Sequence, residues 1–337
     1  MRLRFLLFFL FGLFLVLGVV WWIGPKEVFE EVVKVRLEYL LLLFLLQVLA
    51  MVLWAFRWSI VLKHSGVSFR SVFPVSLVGY LINNMTPIGV AGGEFARGYL
   101  LARLTKLSTA KSAASVIVDL FLDVVPVFFL LLLAISFIAA YHIPSAIIFV
   151  LALGCLVLVL IAAFVFALVA DAQLSLRMIR YVVSFFSVLP LPYLREHALD
   201  AQTRVDKIVV VFQDAMTENM TDSTIMFSGF FVSLLTWVVS VLRMYFAFKA
   251  IGVEVPLMVL LVVRIIVMTV SFIPFTPGSI GLWEGLTTFM FSLFYIKPAT
   301  ALAATLLERF FSFWIGSLIG VAAVAYLGVW PILKERL

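Results

Sequence analysis

Asn83-Asn84-Met85-Thr86-Pro87-Ile88-Gly89-Val90-Ala91-Gly92-Gly93-Glu94, with Arg97 one helical turn further on, is the stretch from which the rest of the chain is read. It lies among long apolar runs, yet it carries two amides, a proline, three glycines and a carboxylate. Proline and glycine interrupt the backbone hydrogen-bond ladder, and interrupted backbone is tolerated at membrane depth only inside protein or beside a wet cavity. A second stretch of the same design begins 190 positions later: Thr276-Pro277-Gly278-Ser279-Ile280-Gly281-Leu282-Trp283-Glu284. In both, Thr-Pro is followed by a Glu seven residues after the Pro. Two matched, Gly/Pro-interrupted segments in the two halves of a membrane protein point to a transport site.

Composition supplies the membrane. Of 337 residues 65% are hydrophobic and 12% charged, and the mean hydropathy is +1.23. Soluble domains run nearer half apolar and a quarter charged. The formal charge of +6 does not indicate a nucleic-acid binder, because the basic residues are spread over short loops. The single cysteine, Cys155, lies in an apolar run, which excludes a disulfide framework, thiol redox pairs and cysteine-rich metal sites. Arg2-Leu3-Arg4 followed by an apolar run imitates a signal peptide, but Trp21-Trp22-Ile23-Gly24-Pro25 reads as an interfacial anchor. The expectation is an uncleaved first span.

A full span needs roughly 20 apolar residues. Segments 5–23, 38–62, 112–139, 144–170, 223–249 and 300–328 qualify; 72–106 and 256–297 are apolar but interrupted. The predicted fold is an all-α polytopic membrane protein with about six full transmembrane helices plus two re-entrant helical hairpins in an inverted repeat. With the N-terminus inside, cytoplasmic segments hold Arg2, Arg4, Lys63, Arg70, Arg97, Arg103, Lys106, Lys111, Arg177, Arg180, Arg195, Arg204, Lys207, Lys334 and Arg336. External segments hold only Lys26, Lys34, Arg36, Lys249 and Lys297. That bias places both termini in the cytoplasm of a multi-pass protein of the cell membrane.

Shifting 38–62 by 190 gives 228–252, against the 223–249 span, and 112–139 becomes 302–329, against 300–328. Three spans separate equivalent elements, so the repeats face opposite ways. The single membrane domain, 1–337, therefore divides into a first span and loop (1–37), repeat 1 (38–139), a connecting span with cytoplasmic amphipathic helices (140–222), inverted repeat 2 (223–329) and a cytoplasmic tail (330–337). Within the connector, 172–188 reads as a basic amphipathic surface helix, ended by Leu189-Pro190-Leu191-Pro192. A second amphipathic helix, about 194–218, follows, and the segment is too short for a separate catalytic domain.

Charges at membrane depth carry the functional signal. Arg57, Asp119, Asp123, Arg243, Arg264, Glu308 and Arg309 fall in or near apolar spans, besides Glu94 and Glu284. Each costs roughly 2.5–3.5 kcal/mol at a lipid-facing midpoint, so they must face the interior, pair or line water. Ser115, Asp119 and Asp123 fall at i, i+4, i+8 on one helix face; Thr305, Glu308, Ser312 and Gly316 make the partner stripe. The plain structural alternative is buried ion pairing that fixes helix register, and it is the preferred reading for Arg243, which nothing in the repeat echoes. Arg57, beside Trp58, has snorkelling to the headgroups as its alternative. Glu94 and Glu284 each open a half-helix, where free N–H groups favour a carboxylate or could hold an anionic headgroup, with Gly92-Gly93 and Gly278 letting backbone come close.

At these residues the sequence resembles the flippase-like membrane family (UPF0104-type) related to the transmembrane region of lysylphosphatidylglycerol synthases. The landmarks are Arg57-Trp58, Asn84, Pro87, Gly92-Gly93-Glu94, Arg97 and Asp119…Asp123, then Pro274, Pro277-Gly278, Gly281, Glu284 and Glu308-Arg309. The resemblance covers nearly the whole chain and implies a transporter moving lipids between leaflets, with two re-entrant elements meeting at the core. One departure stands out. The family often shows Glu-Arg-x-x-Asp after the first broken segment, whereas this chain has Asp119-Leu120-Phe121-Leu122-Asp123, without the arginine. The soluble aminoacyl-transfer domain of the synthases has no counterpart in this sequence, so a lysyl-lipid substrate is not implied.

The expected function is a lipid flippase or scramblase whose cavity takes a phosphate-bearing headgroup. The expected transport residues are Arg57, Asn83, Asn84, Pro87, Gly92, Gly93, Glu94, Arg97, Asp119, Asp123, Arg264, Pro277, Gly278, Gly281, Glu284, Glu308 and Arg309. Arg57, Arg264 and Arg309 would contact phosphate, and the acids would pair with cationic groups or carry protons. No catalytic residue, metal or cofactor is expected; the partners are membrane lipids, not nucleic acid, and a homo-oligomer is left open. Two alternatives remain. A membrane enzyme acting on polyprenyl-phosphate or phospholipid has little support, since His64, His142 and His197 are scattered and Asp119/Asp123 alone make a weak metal site. An inverted-repeat transporter of small solutes fits the architecture equally well.

Overall fold

The computed structural model describes residues 2–86, 90–139, 210–271 and 276–330, with isolated helical positions at 152, 156, 159, 160 and 163. Among the described residues the regular structure is all helical. Helix α1 (Arg2–Ile23) is the first apolar segment, and the chain then bends by 93° into α2 (Pro25–Val33). Gly24, at φ 115°, makes the bend, and Pro25 starts the new helix where a missing N–H does no harm. The segment expected to be only a loop after the first span thus contains a short acidic helix that packs against the later 298–309 helix.

The first half contains α3 (Glu38–Val61), α4 (Phe69–Met85), α5 (Val90–Leu104) and α6 (Thr109–Ala139). After a helical stretch at 210–221, the second half contains α7 (Ser223–Ala250), α8 (Leu257–Ser271), α9 (Leu282–Leu293) and α10 (Pro298–Arg309). A π turn (Phe310–Ile315) joins α10 to α11 (Gly316–Leu327). Among the described residues four helices are long and apolar enough to cross a membrane: Glu38–Val61, Thr109–Ile138, Ser223–Ala250 and Pro298–Leu327; the bent α1–α2 pair makes a fifth if it is one span. Apart from those isolated positions the predicted span at 144–170 lies outside the described residues, as do the amphipathic helix at 172–188, the 194–209 part of the second one, Pro87 and Pro274.

Both interrupted segments are pairs of separate helices. At 1.5 Å per residue, α4, α5, α8 and α9 measure about 18–26 Å, short of the ~30 Å hydrocarbon thickness. Adding 190 to the bounds of α3–α6 gives 228–251, 259–275, 280–294 and 299–329, which follow α7, α8, α9 and α10–α11 within a few residues. Packing repeats as well. The central pair is α3 against α7, α4 lies on α11, and α8 lies on α6.

The apolar core is divided the same way. One cluster joins α7–α10 to the C-terminal end of α6 through Val127, Leu131, Ala134 and Ile138. The other joins α3–α6 to Ala323 and Val324 of α11. Each half therefore completes its core with the last helix of the other, and phenylalanines such as Phe14, Phe95 and Phe227 are left on the outside.

Candidate functional site

On α6 the four-residue spacing of Asp119 and Asp123 turns both carboxylates to α3, where Arg57 receives them. Arg57 Nε donates to Asp119 Oδ1 at 2.7 Å and Nη2 to Asp119 Oδ2 at 3.2 Å. Its Nη1 donates to Asp123 Oδ1 and, at 2.8 Å, to Ser233 Oγ on α7. Arg57 is 1% exposed, so it does not snorkel. Ser115, the third member of the stripe, accepts from Trp58 Nε1 at 3.1 Å.

Arg97 is one of the expected transport residues. Counted with the cytoplasmic basic residues, it is fully buried: Nε donates to Glu94 Oε2 at 2.6 Å and Nη2 to Asp119 Oδ2 at 2.5 Å. Its guanidinium lies between the rings of Trp54 and Trp58, 4.8 and 4.6 Å from their centroids. The arginine missing at position 120 is thus matched by one reaching Asp119 from α5.

The second half has its own network. Arg243 Nε and Nη2 bond Glu308 Oε1 at 2.7 and 2.6 Å, and Nη1 donates to Gln47 Oε1 on α3. Arg264 Nη1 makes a longer contact, 3.4 Å, to the same Glu308 oxygen, while its buried Nε has no hydrogen-bond partner. Arg309 Nε donates to Glu284 Oε1 at 2.9 Å and Nη2 to the Gly278 carbonyl at 2.7 Å. Glu284 Oε2 accepts from the Gly281 amide at 2.6 Å, closing the turn that opens α9. Trp283 lies under Arg264 and Arg309, at 4.8 and 5.6 Å.

The amides tie the halves together. Asn83 Oδ1 accepts from the Gly93 amide at 2.6 Å, which holds α5 against α4. Asn84 Nδ2 donates to Ser317 Oγ at 2.9 Å and to the Phe313 carbonyl, while Tyr80 OH donates to the Ser312 carbonyl at 2.6 Å. A π turn displaces carbonyls from the regular helical ladder, and α4 supplies donors to two of them.

Between these networks lies a cavity of about 250 Å³. Its wall takes residues from α3 through α8, including Arg57, Asn83, Asn84, Glu94, Asp123 and Arg264 from the predicted set. Asp119, Arg97 and Glu308 stand behind that wall as partners of the lining charges. Pro277, Gly278, Gly281, Glu284 and Arg309 do not line it; they build a turn against α1, where a side chain at 281 would strike Leu15 and Gly12. Gly92 and Gly93 serve the α4–α5 contact instead. Gln47, Ala50, Met51, Trp54, Tyr80, Leu120, Thr236, Ser240 and Arg243 complete the lining; none was among the expected transport residues, and Arg243 had been read as an ion-pairing group that fixes helix register. Gln47, at 0% exposure in an apolar helix, was the signal that could have been read.

Residues 9–320 match the model of the lysylphosphatidylglycerol synthase TM region. The chain belongs to that family. Among its relatives in the lysylphosphatidylglycerol synthase TM region family, a UPF0104 membrane protein of Methanothermobacter thermautotrophicus is 31% identical over 309 residues, covering 91% of this chain and 90% of that protein. A UPF0104 membrane protein of Pyrococcus horikoshii is 26% identical over 318 residues, covering 93% and 94%. The family match takes in α3–α10, the charged networks and the cavity.

Proposed function

We propose that this membrane protein moves a phospholipid, or another phosphate-bearing amphiphile, between leaflets. The observation that carries the reading is the cavity, which presents carboxylates and arginines at the seam of two matched halves inside an apolar exterior. At about 250 Å³ it falls below the size of drug-binding pockets, which suits a headgroup and leaves acyl chains in the bilayer. In this reading α4–α5 and α8–α9 are re-entrant hairpins entering from opposite faces, the halves form an inverted repeat, and rocking of one against the other exposes the cavity alternately. Both termini are cytoplasmic and the membrane is the cell membrane. In this reading the protein is a transporter, and the arginine partners of the five acids in the two networks hold them as fixed charges that face a passing headgroup.

The test is a leaflet assay with purified protein in liposomes carrying a tail-labelled phospholipid. Added dithionite should bleach inner-leaflet label faster than in protein-free vesicles, and Glu94→Gln should slow the exchange. Bleaching no faster than in empty vesicles, with uptake of a water-soluble solute instead, would move the small-solute reading ahead.

A further inference from the structure

The two networks are not balanced within themselves. Around Arg57, three acids (Glu94, Asp119, Asp123) face two arginines (Arg57, Arg97); around Glu308, three arginines (Arg243, Arg264, Arg309) face two acids (Glu284, Glu308). With all ten groups ionised, the first network holds one negative charge in excess and the second one positive, and the total is zero. The cavity lies where they meet, with Asp123 and Glu94 on one side and Arg243 and Arg264 on the other.

The excess charges fall on the least satisfied groups. Arg264 shares an oxygen that Arg243 already occupies twice, and among the described residues its buried Nε has no partner; Arg97 Nη1 is equally unpartnered, but Arg97 stands behind the wall whereas Arg264 lines the cavity. An orphaned donor on a charged group is costly, and a ligand phosphate would relieve it with a charge-assisted bond. Asp123 binds Arg57 and Ser233 through Oδ1 alone, and its side chain is 29% exposed, the most open of the buried acids. A net anion would leave a neutral site charged in a low-dielectric interior, whereas a zwitterion would satisfy both groups and add no net charge.

We propose that the cavity recognises a zwitterionic headgroup, its phosphate toward Arg264 and Arg243 and its cationic amine toward Asp123 and Glu94. This rests on the transport reading above and names its substrate class.

Calorimetric titration of the purified full chain with three headgroup fragments tests it: glycerophosphoethanolamine, glycerol 3-phosphate and ethanolamine. Wild type should bind the first at least about tenfold more tightly than either of the others. Arg264→Gln should weaken both phosphate-bearing probes and leave ethanolamine unchanged, with Arg264→Lys restoring part of the loss. Asp123→Asn should weaken both amine-bearing probes and spare glycerol 3-phosphate. Equal binding of the zwitterionic and anionic probes by wild type, or binding of none, overturns the proposal whether or not the variants fold. The two readings fail separately. Leaflet exchange without headgroup preference sinks only the zwitterion, and polar-probe binding without leaflet exchange sinks only the transport of lipid.

Discussion

Arg57 and Arg243 make a crossed exchange between the two central helices. Arg57 leaves α3, binds the acids of α6 and reaches Ser233 on α7; Arg243 leaves α7, binds Glu308 and reaches Gln47 on α3. One offset of 186 residues relates both pairs, Arg57 to Arg243 and Gln47 to Ser233. Each half sends a cation to an acid on its own closing segment, α6 or α10, and on to the other half. The two crossings run in opposite senses, so sliding α3 along α7 breaks both, and this fixes the register.

Removing Arg57 should therefore be severe. Arg57→Gln leaves Asp119 with Arg97 and Asp123 with the Ser233 hydroxyl, and breaking such a buried pair costs about 3–5 kcal/mol. Ser233→Ala removes a hydroxyl that accepts from Arg57 and donates to Asp123, at about 1.5–3 kcal/mol for hydrogen bonds to charged groups. Thermal unfolding in detergent should show a clearly larger melting-point loss for Arg57→Gln. Equal losses would mean that the arginine is not what holds the helices.

The exchange also marks where the sequence stops being legible. Interrupted segments and long spans were readable because proline, glycine and apolar length act locally. Arg243 seemed to lack an echo because its counterpart is offset by 186 rather than 190, one helical turn away, and a fixed shift misses that. Arg97 was named among the transport residues and counted in a cytoplasmic segment, but its place against Trp54 and Trp58 is set by the packing of α5 on α3 and cannot be read from spacing. Gln47 and Ser233 were overlooked as single polar residues in apolar helices, whose value lies entirely in a partner on the other half. The second broken segment misled in the other direction. Its glycines and Glu284 copy the first motif, yet they build a turn against α1 and not the cavity wall.

Gly93→Ala should uncouple α5 from α4. A methyl group there would overlap the Gly79 carbonyl and the Asn83 side chain, and the colliding carbonyl is helix backbone that cannot rotate away. Overpacking of this kind costs about 1–3 kcal/mol. Gly18→Ala in α1 meets open space and is the control. The expected result is a lowered melting temperature and slowed leaflet exchange for Gly93→Ala alone; matching behaviour of the two variants would refute the close contact.

Asp222 gives a pH dependence outside the spans. Slight desolvation opposes its charge, but His64, the amides of Ile225 and Thr224, and Lys63 together hold its pKa down at about 2, below the ordinary 3.8. A depressed carboxylate stabilises the fold fully above the unfolded value, and that contribution is lost as pH falls through the folded value. Between about pH 4 and pH 2 wild type should therefore lose stability more steeply than Asp222→Asn, which keeps a cap acceptor without the charge. Parallel melting curves across that window would show that the His64 contact contributes nothing.

The Glu284–Arg309 pair should behave as a clamp on the 277–281 turn and not as a ligand site. Glu284 holds the Gly281 amide, Arg309 holds the Gly278 carbonyl, and the two hold each other, so each removal leaves the other's charge buried and half-used. Gly278 and Gly281, at φ 55° and 85°, lie in the left-handed region and depend on that restraint. A double-mutant cycle of Glu284→Gln and Arg309→Gln should give a coupling of about 0.5–3 kcal/mol in thermal unfolding. Binding of glycerophosphoethanolamine should weaken no more in either variant than the loss of folded protein accounts for. A folded Arg309→Gln protein that had lost the phosphate-bearing probes would instead bring Arg309 into the cavity and enlarge the phosphate site beyond Arg264 and Arg243.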